Sequence, residues 1–265
     1  MVMDLQAGYE ALPELLSLMS GDEKHDPAAL STLDTIWVLY DRVLDISPER
    51  VDDPARDRFL LSKGHGPQAY YAVLAAKGYV GAGELATFGA FESPFGYHPD
   101  RLLIPGVEIS SGSLGHGLAI AVGLALGLGI RSGGTGGEAV ATPRVFCLLG
   151  DAELDEGSNH EAIALAGRLG LDRLTAVVID NDSSSYGWPG GVEQRFAGEG
   201  WDWRRTMSRD HSALAEALGA PPEHGRPRVV VVGTDGKANG WRSLQLARSA
   251  GRPENDARGG IPHAQ

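Results

Sequence analysis

Three features of the sequence predict an α/β fold, doubly wound around a mainly parallel sheet with helices on both faces. Residues 144–149, 174–180 and 228–232 are apolar runs of strand length, the pattern of strands buried on both faces. Helical spacing occupies 158–169 and 212–218, so strands and helices alternate along the chain. Gly150 cuts the first run off ahead of the helix at 158, and the run at 174 completes a βαβ unit.

The elements follow in order. Residues 9–20 and 28–45 read as helices, the second because Leu30, Leu33, Ile36, Leu39 and Val43 recur at threes and fours. Residues 57–61 lead into Ser62-Lys63-Gly64-His65-Gly66-Pro67, a turn that opens a helix over 68–77. Pro94, Gly96, Pro99 and Pro105 punctuate 80–106, which reads as loop. Ser110-Ser111-Gly112-Ser113-Leu114-Gly115-His116-Gly117 feeds a helix of small residues running to about 130, and 132–137 reads as a flexible surface loop. No linker divides the chain and no repeat occurs in it. The expectation is one domain over 1–245 and a Gly-, Pro- and charge-rich tail over 246–265 that is disordered.

Composition narrows the partners. A hydrophobic share of 42% with 22% charged residues is ordinary for a globular protein. The net charge of −12 argues against nucleic acid and anionic membrane, since an acidic surface gains nothing from counterion release. A phosphate ligand would therefore have to be held by a metal and by backbone dipoles. Cys147 is the single cysteine, so no intrachain disulfide can form. Asp4, Glu10 and Glu14 do not make a signal peptide, and the apolar window 107–130 is interrupted by Glu108, His116 and glycines. A soluble, cytoplasmic protein is expected.

The chemistry concentrates at predicted strand ends. In open parallel sheets ligands bind beyond the carboxyl ends of the strands. Asp151 follows the first strand and its Gly150 turn, and Asn181 follows the second, which one crossover brings alongside. A carboxylate and an amide carbonyl make oxygen-only ligation, suited to Mg2+ or Ca2+ and not to zinc, with positions left for phosphate oxygens. The amides after Gly150 lie near a helix start, which favours an anion. Spacing alone equally fits an acidic loop that merely caps the helix.

Beyond spacing, Gly150-Asp151-Ala152-Glu153-Leu154-Asp155-Glu156-Gly157 followed by Asp180-Asn181 resembles the signature of thiamine-diphosphate enzymes. Five further segments resemble transketolase in order and approximate spacing: His25 with Leu30-Ser31 and Asp34, Ser62-Lys63-Gly64-His65-Gly66, Gly96-Tyr97-His98-Pro99, Gly112 through Gly117, and Glu156-Gly157 with Glu161-Ala162. The resemblance spans roughly residues 20 to 240. It implies metal ligation by Asp151, Asn181 and the carbonyl of Ser183, and diphosphate contact by His65 and the backbone at Ala152. It further implies that Gly112, Ser113 and Leu114 line the cofactor's rings. His25 and His98 would face the substrate channel, and Glu156 the neighbouring domain. Read without the resemblance, His25 is more simply a surface residue and His98 a residue that fixes a turn, while His65 between two glycines fits a ligand contact and a local role equally.

In that family the glutamate that activates the cofactor comes from a second, pyrimidine-binding domain. The resemblance fades near Lys237-Ala238-Asn239-Gly240, and the expectation is a split enzyme. This chain would be the diphosphate-binding subunit, inactive without a separate pyrimidine-domain subunit, and the pair would form a heterotetramer that moves a two-carbon ketol unit between sugars or sugar phosphates. Ala152 in place of glycine, Asp182, and Ser183-Ser184-Ser185-Tyr186-Gly187-Trp188-Pro189 depart from the family pattern and point to a specialised pathway. Two alternatives stand beside this reading: an α-type subunit of a 2-oxo-acid decarboxylating thiamine-diphosphate enzyme, and a non-catalytic cofactor-binding subunit.

Overall fold

The computed structural model describes residues 7–22, 26–132, 143–221 and 223–234. Five parallel strands form one sheet in the order β1-β2-β3-β5-β4: β1 Arg58–Leu61, β2 Val145–Gly150, β3 Leu174–Asp180, β4 Asp202–Met207 and β5 Arg228–Gly233. The runs read as central strands are buried along almost their whole length, which explains why they are continuously apolar and not alternating.

Each face of the sheet is covered by its own helices. On one side α1 (Leu12–Ser17), α2 (Asp26–Val38), α3 (Gln68–Ala76) and α7 (His211–Gly219) pack on Phe59, Phe146, Leu148, Val177, Ile179, Val230 and Val232. On the other, α4 (His116–Ser132), α5 (Gly157–Leu169) and α6 (Val192–Ala197) pack on Leu60, Cys147, Leu149, Ala176, Val178, Val229 and Val231. The connections β2–α5–β3 and β3–α6–β4 travel one way across the sheet, and β4–α7–β5 returns. Right-handed crossovers require the helix to change face when the direction reverses, and α7 does so.

Most elements stand where periodicity predicts them, with informative exceptions. The helix expected over 28–45 begins at Asp26, and its end, Leu39–Val43, widens into a π turn closed by Leu44 N–H donating to the Leu39 carbonyl at 2.9 Å. Gly150 does not break β2 but ends it in register opposite Ile179. β1, α6 and β4 escape the sequence reading. β1 is only four residues long, and α6 is a six-residue helix. β4 is an edge strand whose exposed Trp203, Arg204 and Arg205 carry no apolar pattern, and its charges also discourage pairing with another chain. Residues 133–142 and 235–265, which include most of the expected surface loop and all of the expected tail, lie outside the described residues.

The edge strand is held to α5 by a tight contact. Fully buried Trp201 donates its indole N–H to the Ile163 carbonyl at 2.9 Å. A Cβ added at Gly167 would lie 1.8 Å from the Glu199 carbonyl oxygen, a backbone atom that cannot swing away. Gly167→Ala is expected to destabilise the fold by about 2 kcal/mol, lowering Tm by roughly 4–8 °C in a thermal melt. An unchanged Tm would show that the backbone at 199 yields freely.

Candidate functional site

Because all five strands run parallel, their carboxyl ends share one edge of the sheet, and the chemistry lies along it. Asp151 follows β2 directly and is 2% exposed. Its backbone N–H donates to the Ile179 carbonyl at 3.0 Å, so β3 fixes its place. The carboxylate then gathers the loop after β3. Oδ2 accepts the amides of Ser183 at 2.7 Å and Ser184 at 3.2 Å, while Oδ1 accepts the Ala152 amide at 2.8 Å and the Ser183 hydroxyl. Asp155 holds the next stretch, accepting the Ser184 hydroxyl at 2.9 Å and the Ser185 amide at 3.0 Å. The turn between is sharp. Asp182 has φ of 57°, the one positive φ among described non-glycine residues.

Asn181, at the start of this loop, has a buried side-chain oxygen with no hydrogen-bond partner. Such an acceptor costs free energy unless something else satisfies it. Two strand ends thus present a buried carboxylate and an orphaned carbonyl oxygen, donors that suit a hard divalent cation. Among the described residues no three His, Cys, Asp or Glu side chains converge, so a zinc-type ligand set is absent from them. The residues present fit a cation held partly by protein and partly by a phosphate ligand.

A second knot lies just behind. Glu153 is 2% exposed, and its Oε1 accepts the Gly115 amide at 2.9 Å and the Ser62 hydroxyl. Ser62 Oγ in turn accepts the Gly117 amide at 3.1 Å. Burial pushes the Glu153 carboxyl above its usual range, opposed by these hydrogen bonds and by the charge of Lys63. Lys63 is 4% exposed and donates to the Ala28 carbonyl at 3.0 Å. Burial brings its ammonium down to about 8 against the pull of Glu153 and Asp151. Gly115 has φ of 85°, and a Cβ there would lie 2.7 Å from Glu156 Cβ and 2.6 Å from Ser158 Oγ, so only glycine brings α4 and α5 this close.

The residues expected from sequence are only partly brought together. Asp151, Ala152, Asn181 and Ser183 gather at one place, although the Ala152 amide, expected to meet a diphosphate, is donated to Asp151. His98 stands beside Gly112, its ring 3.3 Å from where a Cβ on that glycine would be. Ser113, Leu114, His98 and Glu156 are exposed and His65 is half-buried. Gly150, ending β2, backs onto the Lys63 side chain. His25 lies outside the described residues. Sequence reasoning missed Lys63, Glu153 and Asp155 as site residues. Lys63 and Glu153 stand inside recognisable motifs, but nothing in a lone sequence distinguishes a buried carboxylate from an exposed one in the acidic run 151–156.

The comparisons with known proteins agree with this geometry. Residues 17–240 match the family described as "Transketolase, thiamine diphosphate binding domain". The chain is 51% identical over 237 residues to a Rhodococcoides fascians protein named "Ferredoxin fas2", covering 89% of this chain and 75% of that one. It is 32% identical over 236 residues to a protein of Actinobacillus succinogenes named as one subunit of apulose-4-phosphate transketolase, covering 87% of this chain and 80% of that one. Against longer transketolases it spans about a third. The match to "Transketolase 2" of Xanthobacter flavus, 37% identical, covers 78% of this chain and 31% of that protein. Transketolase from Leishmania mexicana superposes with a TM-score of 0.69 at 26% identity, covering 86% of this chain and 37% of that one. A parallel sheet, a family match over most of the chain and a structural match of this quality lead to one conclusion: the chain belongs to the transketolase family and carries its thiamine diphosphate-binding domain.

Proposed function

We propose that this chain is the diphosphate-binding subunit of a two-component transketolase, transferring a two-carbon ketol unit from a ketose or ketose phosphate to an aldose in the cytoplasm. The observation that carries the reading is the orphaned, buried Asn181 Oδ1 at the strand end next to Asp151. Asp151, the unpartnered Asn181 oxygen and the Ser183 carbonyl would hold a divalent ion, Mg2+ or Ca2+. His65 and the backbone at Ala152 would hold the diphosphate. Gly112, Ser113 and Leu114 line the rings. Thiamine diphosphate, when bound, supplies the carbanion chemistry that breaks a carbon–carbon bond beside a carbonyl. His98, exposed beside Gly112, and His25 donate hydrogen bonds to substrate hydroxyls and hold developing negative charge on oxygen.

The partner is a separate chain carrying the pyrimidine-binding domain. The Actinobacillus relative supports this, since its name makes it one subunit of an enzyme and not the whole of it. The docking surface is the outward side of α4 and α5, where Ile120, Leu126, Ile130, Leu165 and Leu169 are exposed and Gly123 and Gly127 have open space above them. Glu156, exposed at the N-cap of α5, would face the partner.

A second reading is an α-type subunit of a 2-oxo-acid decarboxylating thiamine-diphosphate enzyme, and the Rhodococcoides relative carries the name of an iron–sulfur electron carrier. Cys147 is the one cysteine and is buried in β2, so this chain cannot itself supply four thiolates to a cluster. A donor screen of the reconstituted pair separates the two. Turnover with ketose phosphates and an aldose acceptor is expected. Release of carbon dioxide from 2-oxo acids, with no ketol transfer, would overturn the transketolase assignment.

A further inference from the structure

Glu153 sits two residues past Asp151 yet serves a different set of partners. Through Oε1 it holds the Gly115 amide directly, and through the Ser62 hydroxyl it reaches the Gly117 amide at the start of α4. The same stretch is gripped from the other side, where Ser158 Oγ donates to the Gly115 carbonyl at 2.8 Å. Asn159 completes the knot, its side-chain amide donating to the Glu153 carbonyl at 2.6 Å. Three chain segments, from the end of β1, the start of α4 and the turn after β2, therefore meet on one carboxylate.

A neutral side chain of the same shape would avoid the cost of burying that charge, if cohesion were all that was required. Here a carboxylate only 2% exposed is used, its Oε1 taking both donors. We propose that Glu153 is a positioning residue that sets the 112–117 segment against the Asp151 turn before any cofactor arrives. The proposal rests on the reading of Gly112, Ser113 and Leu114 as the cofactor-lining stretch.

The test joins amide hydrogen exchange on the full chain with titration of thiamine diphosphate in the presence of Mg2+. In Glu153→Ala, the Gly115 and Gly117 amides are expected to exchange at least about tenfold faster, while β2 amides keep their rates, and cofactor affinity falls about tenfold. Glu153→Gln keeps an acceptor for both donors and is expected to lie near wild type in exchange and between the two in affinity. Unchanged exchange at Gly115 in Glu153→Ala, or equal acceleration across β2 and α4, would overturn the proposal. If Glu153→Ala does not fold, Ser62→Ala cuts one arm and is expected to free the Gly117 amide alone; protection there equal to wild type overturns the relay. A wild-type chain that binds no thiamine diphosphate even when paired with its pyrimidine-domain partner refutes the cofactor reading, whereas the exchange result still decides the role of Glu153.

Discussion

Asp151→Asn is expected to weaken Mg2+-dependent thiamine diphosphate binding at least about a hundredfold, since even the outer partners of metal ligands are worth ten- to hundredfold. The substitution keeps the size of the side chain and one acceptor oxygen but removes the charge. In wild type the carboxylate accepts the amides of Ala152, Ser183 and Ser184 and the Ser183 hydroxyl, so it also ties the loop after β3 to the turn after β2. An asparagine cannot accept all of these, and the loop is expected to exchange its amides faster. Asn181→Ala removes the orphaned oxygen together with the rest of the side-chain amide. It is expected to leave the loop in place and the fold at least as stable in the absence of metal, because a buried unsatisfied acceptor is lost. Its cofactor affinity should still fall steeply. Titration calorimetry with and without Mg2+ measures both variants. Wild-type affinity in Asp151→Asn would rule out the metal at this site, and metal-independent binding by wild type would do the same.

The second large effect concerns the partner. The chain assayed by itself is expected to give no ketol transfer, with activity appearing when a pyrimidine-domain chain is added. Introducing charge into the proposed docking face, as Gly127→Glu with Ile130→Glu, is expected to abolish both complex formation and turnover. Gly127 has no atom within 4 Å of an added Cβ and Ile130 is 69% exposed, so the fold should be preserved. Light scattering of the mixture reads the assembly, and a melt of the variant alone reads the fold. Full turnover by the lone wild-type chain would contradict the two-component reading. Complex formation by the doubly charged variant at wild-type affinity would move the interface elsewhere.

The parts of the fold that sequence discloses are those where burial dictates composition. β2, β3 and β5 are legible because almost every position faces a packed helix layer, and α5 because Ala162, Ile163 and Ala166 recur at helical spacing toward the sheet. β4 is illegible because an edge strand with one sheet neighbour has no such requirement, and Arg204 and Arg205 are free to face solvent. The site shows the same division. Asp151 and Asn181 stand at strand ends, where topology gives them meaning before any coordinates exist. Glu153 and Lys63 acquire meaning only from the approach of 62–63, 115–117 and 150–153 in space, a long-range fact that no local pattern encodes. The short turn at Gly115 belongs to the same class: its glycine is visible in the sequence, but the crowding by Glu156 and Ser158 that demands it is not.

The central claim is that one divalent ion joins Asp151 and Asn181 to the cofactor's phosphates, and anomalous scattering from Mn2+ in crystals grown with thiamine diphosphate tests it most directly. A single anomalous peak is expected about 2.2 Å from an Asp151 carboxylate oxygen and from Asn181 Oδ1, with phosphate oxygens completing the shell. A diphosphate seated elsewhere, or a peak that touches neither side chain, would contradict it.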